Sequence, residues 1–203
     1  MEQVVRWINE NELQLGEAVD VAHDGYRSAV IAETAFRRAA VGAPLGEDDL
    51  EAERSAAGLI SLLPRGQFGE LPLTESERLE VSLLQQNLVT LAHTMAEPVY
   101  FYPVPGCGVV DSAYGDMLDL SHLVEVKTVV RPFRGTDLRQ VLIYCAMRYA
   151  SGLEVDDISL FNPRRARLFS CSFDDIAFAV SGRAGVELVH DLIDAMVGFQ
   201  VSA

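Results

Sequence analysis

The stretch Gly115-Asp-Met-Leu-Asp-Leu-Ser-His-Leu-Val-Glu-Val-Lys127-Thr128 sets two runs of strand-forming residues on either side of Ser121-His122. Runs of this kind around a short polar break read as a β-hairpin, Gly115 to Leu120 pairing with Leu123 to Val130. Side chains alternate along a strand, so Leu123, Glu125, Lys127 and Val129 share one face, and Val124, Val126, Thr128 and Val130 the other. The second set reads as a core or core-edge face. The first set holds a carboxylate and an ammonium in the middle of an apolar strand. A turn of two or four residues centred on Ser121-His122 pairs Leu118 with Glu125 and Asp116 with Lys127, and a slip of one residue would bring in Asp119 instead. Gly115 favours Asp116, because a residue without Cβ lets a backbone or ligand come close.

Working outward, Val99-Tyr-Phe-Tyr102 reads as a preceding strand bent at Gly106-Cys-Gly108, with Val109-Val110 continuing it. Beyond the hairpin, Pro132 and Gly135 interrupt the pattern and Thr136 can cap a helix running to about Ala150. Ile158 to Phe161 and Arg167 to Phe173 form a second hairpin through Asn162-Pro163-Arg164. Helices over Phe173 to Val180 and Ala184 to Val197, split by Ser181-Gly182, end the chain. Upstream, the first ~95 residues read as helices: Gly25 to Ala40, Asp48 to Leu63, then a breaker loop from Pro64 to Pro72. Thr74-Glu-Ser-Glu77 has the form of a capping box, and behind it Val81, Leu84, Leu88, Leu91 and Met95 recur on one helical face. The order implies an α/β fold with a helix-covered mixed sheet, divided into an N-terminal helical region over 1–73 and a core over 74–203.

The 203 residues are 49% hydrophobic and 23% charged, as in an ordinary globular protein. No apolar run approaches the ~18–20 residues of a membrane span, and nothing at Met1-Glu2-Gln3 resembles an export signal. Cys107, Cys145 and Cys171 are an odd, scattered set, which argues against a disulfide framework and fits a reducing cytoplasm. His23, His93, His122 and His190 lack ligand spacing and read as structural or exposed. Of 16 basic residues, all but Lys127 are arginine. A position that stays lysine in such a chain asks for a compact ammonium whose proton affinity can be tuned.

Two carboxylates and a lysine on one sheet face form a site for a hard divalent cation, Mg²⁺ or Mn²⁺, which takes phosphate oxygens and waters as its other ligands. Gly115-Asp116, then Glu125-Val-Lys127, then Gln140-Val-Leu-Ile-Tyr144 on a following helix resemble, in that order, the motifs of the PD-(D/E)xK nuclease superfamily, in its RecB/Cas4-like branch with a QxxxY helix. The resemblance spans roughly Thr74 to Phe173 and includes the helix, three strands, helix, strand order of a restriction-endonuclease-like core. It departs from the pattern in lacking a proline before Asp116 and in the shortness of its hairpin. It implies metal-dependent hydrolysis of DNA phosphodiesters. Asp116, Glu125 and the Val126 carbonyl would be metal ligands, with Glu80 as a candidate from the first core helix. Lys127 would position the attacking water, and Gln140 and Tyr144 would face the site or the nucleic-acid backbone.

The net charge of −14 opposes DNA binding at long range. Residues 1–96 carry most of the excess. Arg131, Arg134, Arg139, Arg164, Arg165 and Arg167 could form a phosphate-contacting rim. The acidic N-terminal helices suggest a surface for a protein partner or a second copy, within a DNA-processing or defence assembly that supplies DNA affinity. The competing reading is a catalytically idle nuclease fold that serves as an interaction or regulatory subunit.

Overall fold

The computed structural model describes residues 1–21, 27–46, 49–62 and 72–201. The expected breaker loop after Leu63 lies outside them up to its last residue, Pro72, as do His23 and Asp48. In chain order the elements are α1 (Glu2–Glu10), β1 (Leu13–Gln14), α2 (Ser28–Ala40), α3 (Leu50–Ser61), α4 (Glu75–Ala92), β2 (Pro98–Val104), β3 (Ala113–Asp119), β4 (His122–Val126), α5 (Gly135–Ala150), β5 (Asp157–Asn162), β6 (Arg167–Ser172), α6 (Phe173–Ser181) and α7 (Gly185–Val201). The strands form one sheet in the order β1-β6-β5-β4-β3-β2. The β2–β3, β3–β4 and β5–β6 pairs are antiparallel, and β4 runs parallel to β5 because α5 carries the chain back between them. The fold is therefore mixed α/β.

The chain divides into two compact units: Met1–Leu13, Met95–Asn162 and Arg167–Ala203 form one, and Gln14–Thr94 with Pro163–Ala166 the other. This differs from the boundary expected at 73/74, because α4 packs with α2, which also packs on α3, while α1 belongs to the sheet unit. Helix α4 has the expected capping box: Thr74 N–H donates to Glu77 Oε2 at 2.7 Å and Glu77 N–H to Thr74 Oγ1 at 3.4 Å. Val81, Leu84, Leu88 and Leu91 are buried along its face, and the helix stops at Ala92, before Met95.

In the sheet unit, the core gathers Leu123 of β4, Ile158 and Leu160 of β5, Phe169 of β6, and Leu138, Val141, Leu142 and Cys145 of α5. Val4 and Ile8 of α1 join it. The face of β4 that carries Leu123 and Glu125 thus looks onto α5, whereas Val130, expected on a core or core-edge face, is 69% exposed past the end of the strand. The carboxylate therefore sits at the margin of the core.

Candidate active site

The β3–β4 register runs Asp119↔His122, Leu118↔Leu123, Met117↔Val124, so the turn is Leu120-Ser121 and lies one residue earlier than expected. Leu120 adopts a left-handed φ of 56°, and Ser121 Oγ donates to Asp156 Oδ2 at 2.6 Å, which holds the turn in place. Moving the centre of a turn by one residue shifts each pairing by two, so the set sharing a face is unchanged. Continuing the register sets Asp116 against Glu125 rather than Lys127. Asp119 is occupied elsewhere, accepting hydrogen bonds from the backbone of Ala96 and Glu97 at 3.0 and 2.7 Å.

Beyond Met117↔Val124 a side chain continues the pairing: Asp116 Oδ2 accepts from the backbone N–H of Val126 at 2.7 Å. This fixes the carboxylate at Val126, the residue whose carbonyl was expected to help bind metal. Gly115 explains the approach from the other side. A Cβ there would lie 2.0–2.3 Å from ring and hydroxyl atoms of Tyr102, its cross-strand partner on β2, so only glycine admits that ring. The β2–β3 ladder also skips the position where Phe101 faces Asp116, and Phe101 holds a left-handed φ of 52°. An aromatic residue in that region is strained, and such strain clusters at functional sites.

Glu125 is 1% exposed and Lys127 keeps 19% of its side-chain surface. Lys127 Nζ donates to Glu125 Oε1 at 2.6 Å and to Gln140 Oε1 at 2.9 Å, and Gln140 Nε2 donates to Tyr144 OH at 3.1 Å. Gln140 and Tyr144 meet because residues four apart stack on a helix. Asp116, Glu125, Lys127, Gln140 and Tyr144, singled out from sequence, thus form one connected set. All but Glu125 are half-buried, so the set opens to solvent.

The loop that follows Lys127 is tied down from two elements. Asn162 Nδ2 donates to Val129 O at 2.8 Å, and the Asn9 side chain of α1 exchanges hydrogen bonds with the Phe133 backbone at 3.0 and 2.9 Å. Helix α5 starts at Gly135 and not after Thr136: the Asp137 carboxylate accepts the Arg134 N–H at 2.9 Å, supplying the cap. The same carboxylate takes both terminal nitrogens of Arg131, at 2.6 and 2.9 Å. Burial pushes the Asp137 proton affinity up, but Arg131 and the Arg134 N–H outweigh it and hold the group below the usual carboxylate range.

The charges explain one another. Burial first, and then the Glu125 charge, push Asp116 up from 3.8 to about 8. Burial also raises Glu125, against the pull of Lys127. Burial works to lower Lys127, but the charge and hydrogen bond of Glu125, with Asp116 and Asp137 behind it, leave it raised and firmly an ammonium. Glu125 Oε2 is buried with no hydrogen-bond donor. Two ionised carboxylates in contact cannot hydrogen-bond to each other, so either a proton or a cation must lie between them. A hard divalent ion suits such a donor set. Among the described residues, no group of three or more His, Cys, Asp or Glu side chains could hold a metal, so protein ligation rests on these two acids.

Glu80 is not one of the cluster. It lies in the other unit, where Arg164 Nη2 pairs with its Oε1 at 2.6 Å and both side chains are 2% exposed. An apolar flank on a helix marked Glu80 as inward-facing but could not say what it met. The same pair removes Arg164 from the expected rim. Arg131 is committed to Asp137, and Arg134 and Arg139 stay exposed at the start of α5.

Three residues near the cluster carried no signal in the sequence. Tyr102 is 1% exposed, and burial followed by the Glu125 charge raises its hydroxyl well above the ordinary range. The Arg148 guanidinium of α5, also buried, stands 5.5 Å from the centre of the Tyr102 ring. Asp137 acts electrostatically on both Glu125 and Lys127. Compared with family models, with curated proteins and with solved structures, the chain matches none.

Proposed function

We propose that this protein is a divalent-metal-dependent deoxyribonuclease with a restriction-endonuclease-like core of the PD-(D/E)xK kind. One observation carries the reading: two neighbouring carboxylates, one with a buried oxygen, Glu125 Oε2, that has no donor, beside the chain's sole lysine, itself gripped by a helix glutamine. Asp116 and Glu125 would hold Mg²⁺ or Mn²⁺, with the Val126 carbonyl alongside. Such an ion polarises a phosphoryl oxygen and lowers the proton affinity of a bound water.

The chain's own groups supply the rest. Lys127 stays protonated, so it donates rather than abstracts: it orients a water or a phosphate oxygen and offsets charge that builds on phosphorus. Gln140 fixes the ammonium by accepting one of its three protons, and Tyr144 fixes Gln140. Val126 N–H holds the Asp116 carboxylate in one rotamer. The exposed Arg134 and Arg139 flank the site from the start of α5 and suit backbone phosphates. Because the chain is acidic overall, this reading includes a protein partner or second copy that contributes DNA affinity.

The test incubates purified protein with plasmid and with single-stranded DNA, in Mg²⁺, Mn²⁺ or chelator, beside Lys127→Ala. Metal-dependent cleavage that vanishes in the variant supports the reading. Identical behaviour of wild type and Lys127→Ala returns the fold to the role of an idle scaffold.

A further inference from the structure

A concavity in the sheet unit is lined by none of the five clustered residues. A cleft of about 250 Å³ opens between the end of α5, the segment after it, and the starts of α6 and α7. Its walls are aromatic and aliphatic: Tyr149 on one side, Phe173 and Val186 on the other. Glu154, Asp156 and Asp174 stand around it, and no lysine or arginine lines it. Asp156 and Asp174 are each held through one oxygen, by Ser121 Oγ at 2.6 Å and by Gly185 N–H at 2.9 Å. Their second oxygens remain for a ligand. None of the three carboxylates is paired with a cationic side chain among the described residues.

Gly185 is the reason α7 can start so close: a Cβ there would come within 2.5 Å of Asp174 Oδ1 and 2.9 Å of the Phe173 ring. The wall is therefore built tight by backbone contact and is not a loose gap between helices. A carboxylate-rimmed hollow with an aromatic wall suits a cation on an apolar stem. The head gains charge-assisted hydrogen bonds and the stem buries apolar surface against a wall that includes Tyr149, whose ring packs on His190. We infer that this cleft binds an alkyl guanidinium or ammonium group, a planar guanidinium fitting paired carboxylate oxygens best.

The test is calorimetric titration of the full chain with n-butylguanidine, against its neutral isostere n-butylurea, at low ionic strength. The expected result is saturable binding of the guanidine with Kd below about 1 mM, weakened by added salt, and none of the urea. Glu154→Gln should weaken binding about fivefold, and Val186→Trp, at an exposed position on the wall, should abolish it. Lys127→Ala should bind as wild type does, which separates this site from the proposed nuclease centre. A blocked Gly-Arg-Gly peptide distinguishes the sources of the cation. Binding at least as tight as that of the guanidine assigns the cleft to a side chain presented by another protein, and failure assigns it to a free small cation. No saturable binding, equal binding of the urea, or indifference to both cleft substitutions overturns the inference.

Discussion

Neutralising Asp116 should make the metal-free protein more stable, although it removes a group central to the proposed chemistry. In the folded chain its carboxyl is raised from 3.8 to about 8, chiefly by burial and then by Glu125. Between those values the folded form keeps a proton that the unfolded chain has released. Stability from this group is complete below the lower value and is lost as pH rises through the window, at about 1.4 kcal/mol per pH unit. The full window would amount to about 6 kcal/mol. Asp116 keeps part of its solvent contact, so screening reduces the effect to about 2–3 kcal/mol. Asp116→Asn retains an oxygen for the Val126 N–H and removes the titration. In chelator, urea denaturation should show the variant little changed at pH 5 and more stable by about 2 kcal/mol at pH 8.5, or roughly 4–8 °C in Tm. Added Mn²⁺ should close the gap by stabilising wild type alone. A variant less stable than wild type at pH 8.5 in chelator would refute the electrostatic account.

Other outcomes follow from the same contacts. Lys127→Ala should lower DNA cleavage by about 10²–10³, and in chelator it should also lower Tm, because Glu125 is left buried without its counter-ion. Lys127→Arg should not rescue it, because a planar fork cannot copy an ammonium held at 2.6 and 2.9 Å between Glu125 and Gln140. Gly115→Ala drives a methyl into the Tyr102 ring and should cost about 3 kcal/mol in denaturant unfolding. Glu80→Gln breaks a buried ion pair and should cost about 3 kcal/mol in the same assay while leaving Mn²⁺ affinity intact, since Glu80 serves Arg164 and not the metal.

Much of the site was legible because strand alternation and helix periodicity are local rules. Glu125 and Lys127 had to share a face, and Gln140 and Tyr144 had to stack, whatever the rest of the chain did. The helix order, the capping box at Thr74 and the split at Gly182 are equally local; Gly182 does end α6, with a φ of 72°. Register was harder. Nothing in Leu120 announces a left-handed turn residue, and the contact that fixes it comes from Asp156, 35 residues away from Ser121. The role of Glu80 depended on a partner in a distant loop, Arg164, which no spacing reveals. Tyr102 looked like one of several strand aromatics, and only the pairing with Gly115 marks it. The sheet unit takes α1 from the N-terminus because Val4 and Ile8 bury in its core, a choice made by tertiary packing.

In the proposed nuclease, Asp116 and Glu125 together would hold one hard cation beside Lys127. Electron paramagnetic resonance of Mn²⁺ titrated into the full chain tests it most directly. One bound ion per chain in wild type, lost in both Asp116→Asn and Glu125→Gln and kept in Glu80→Gln, is the predicted result; Mn²⁺ that stays free in wild type, or stays bound when either acid is neutralised, contradicts it.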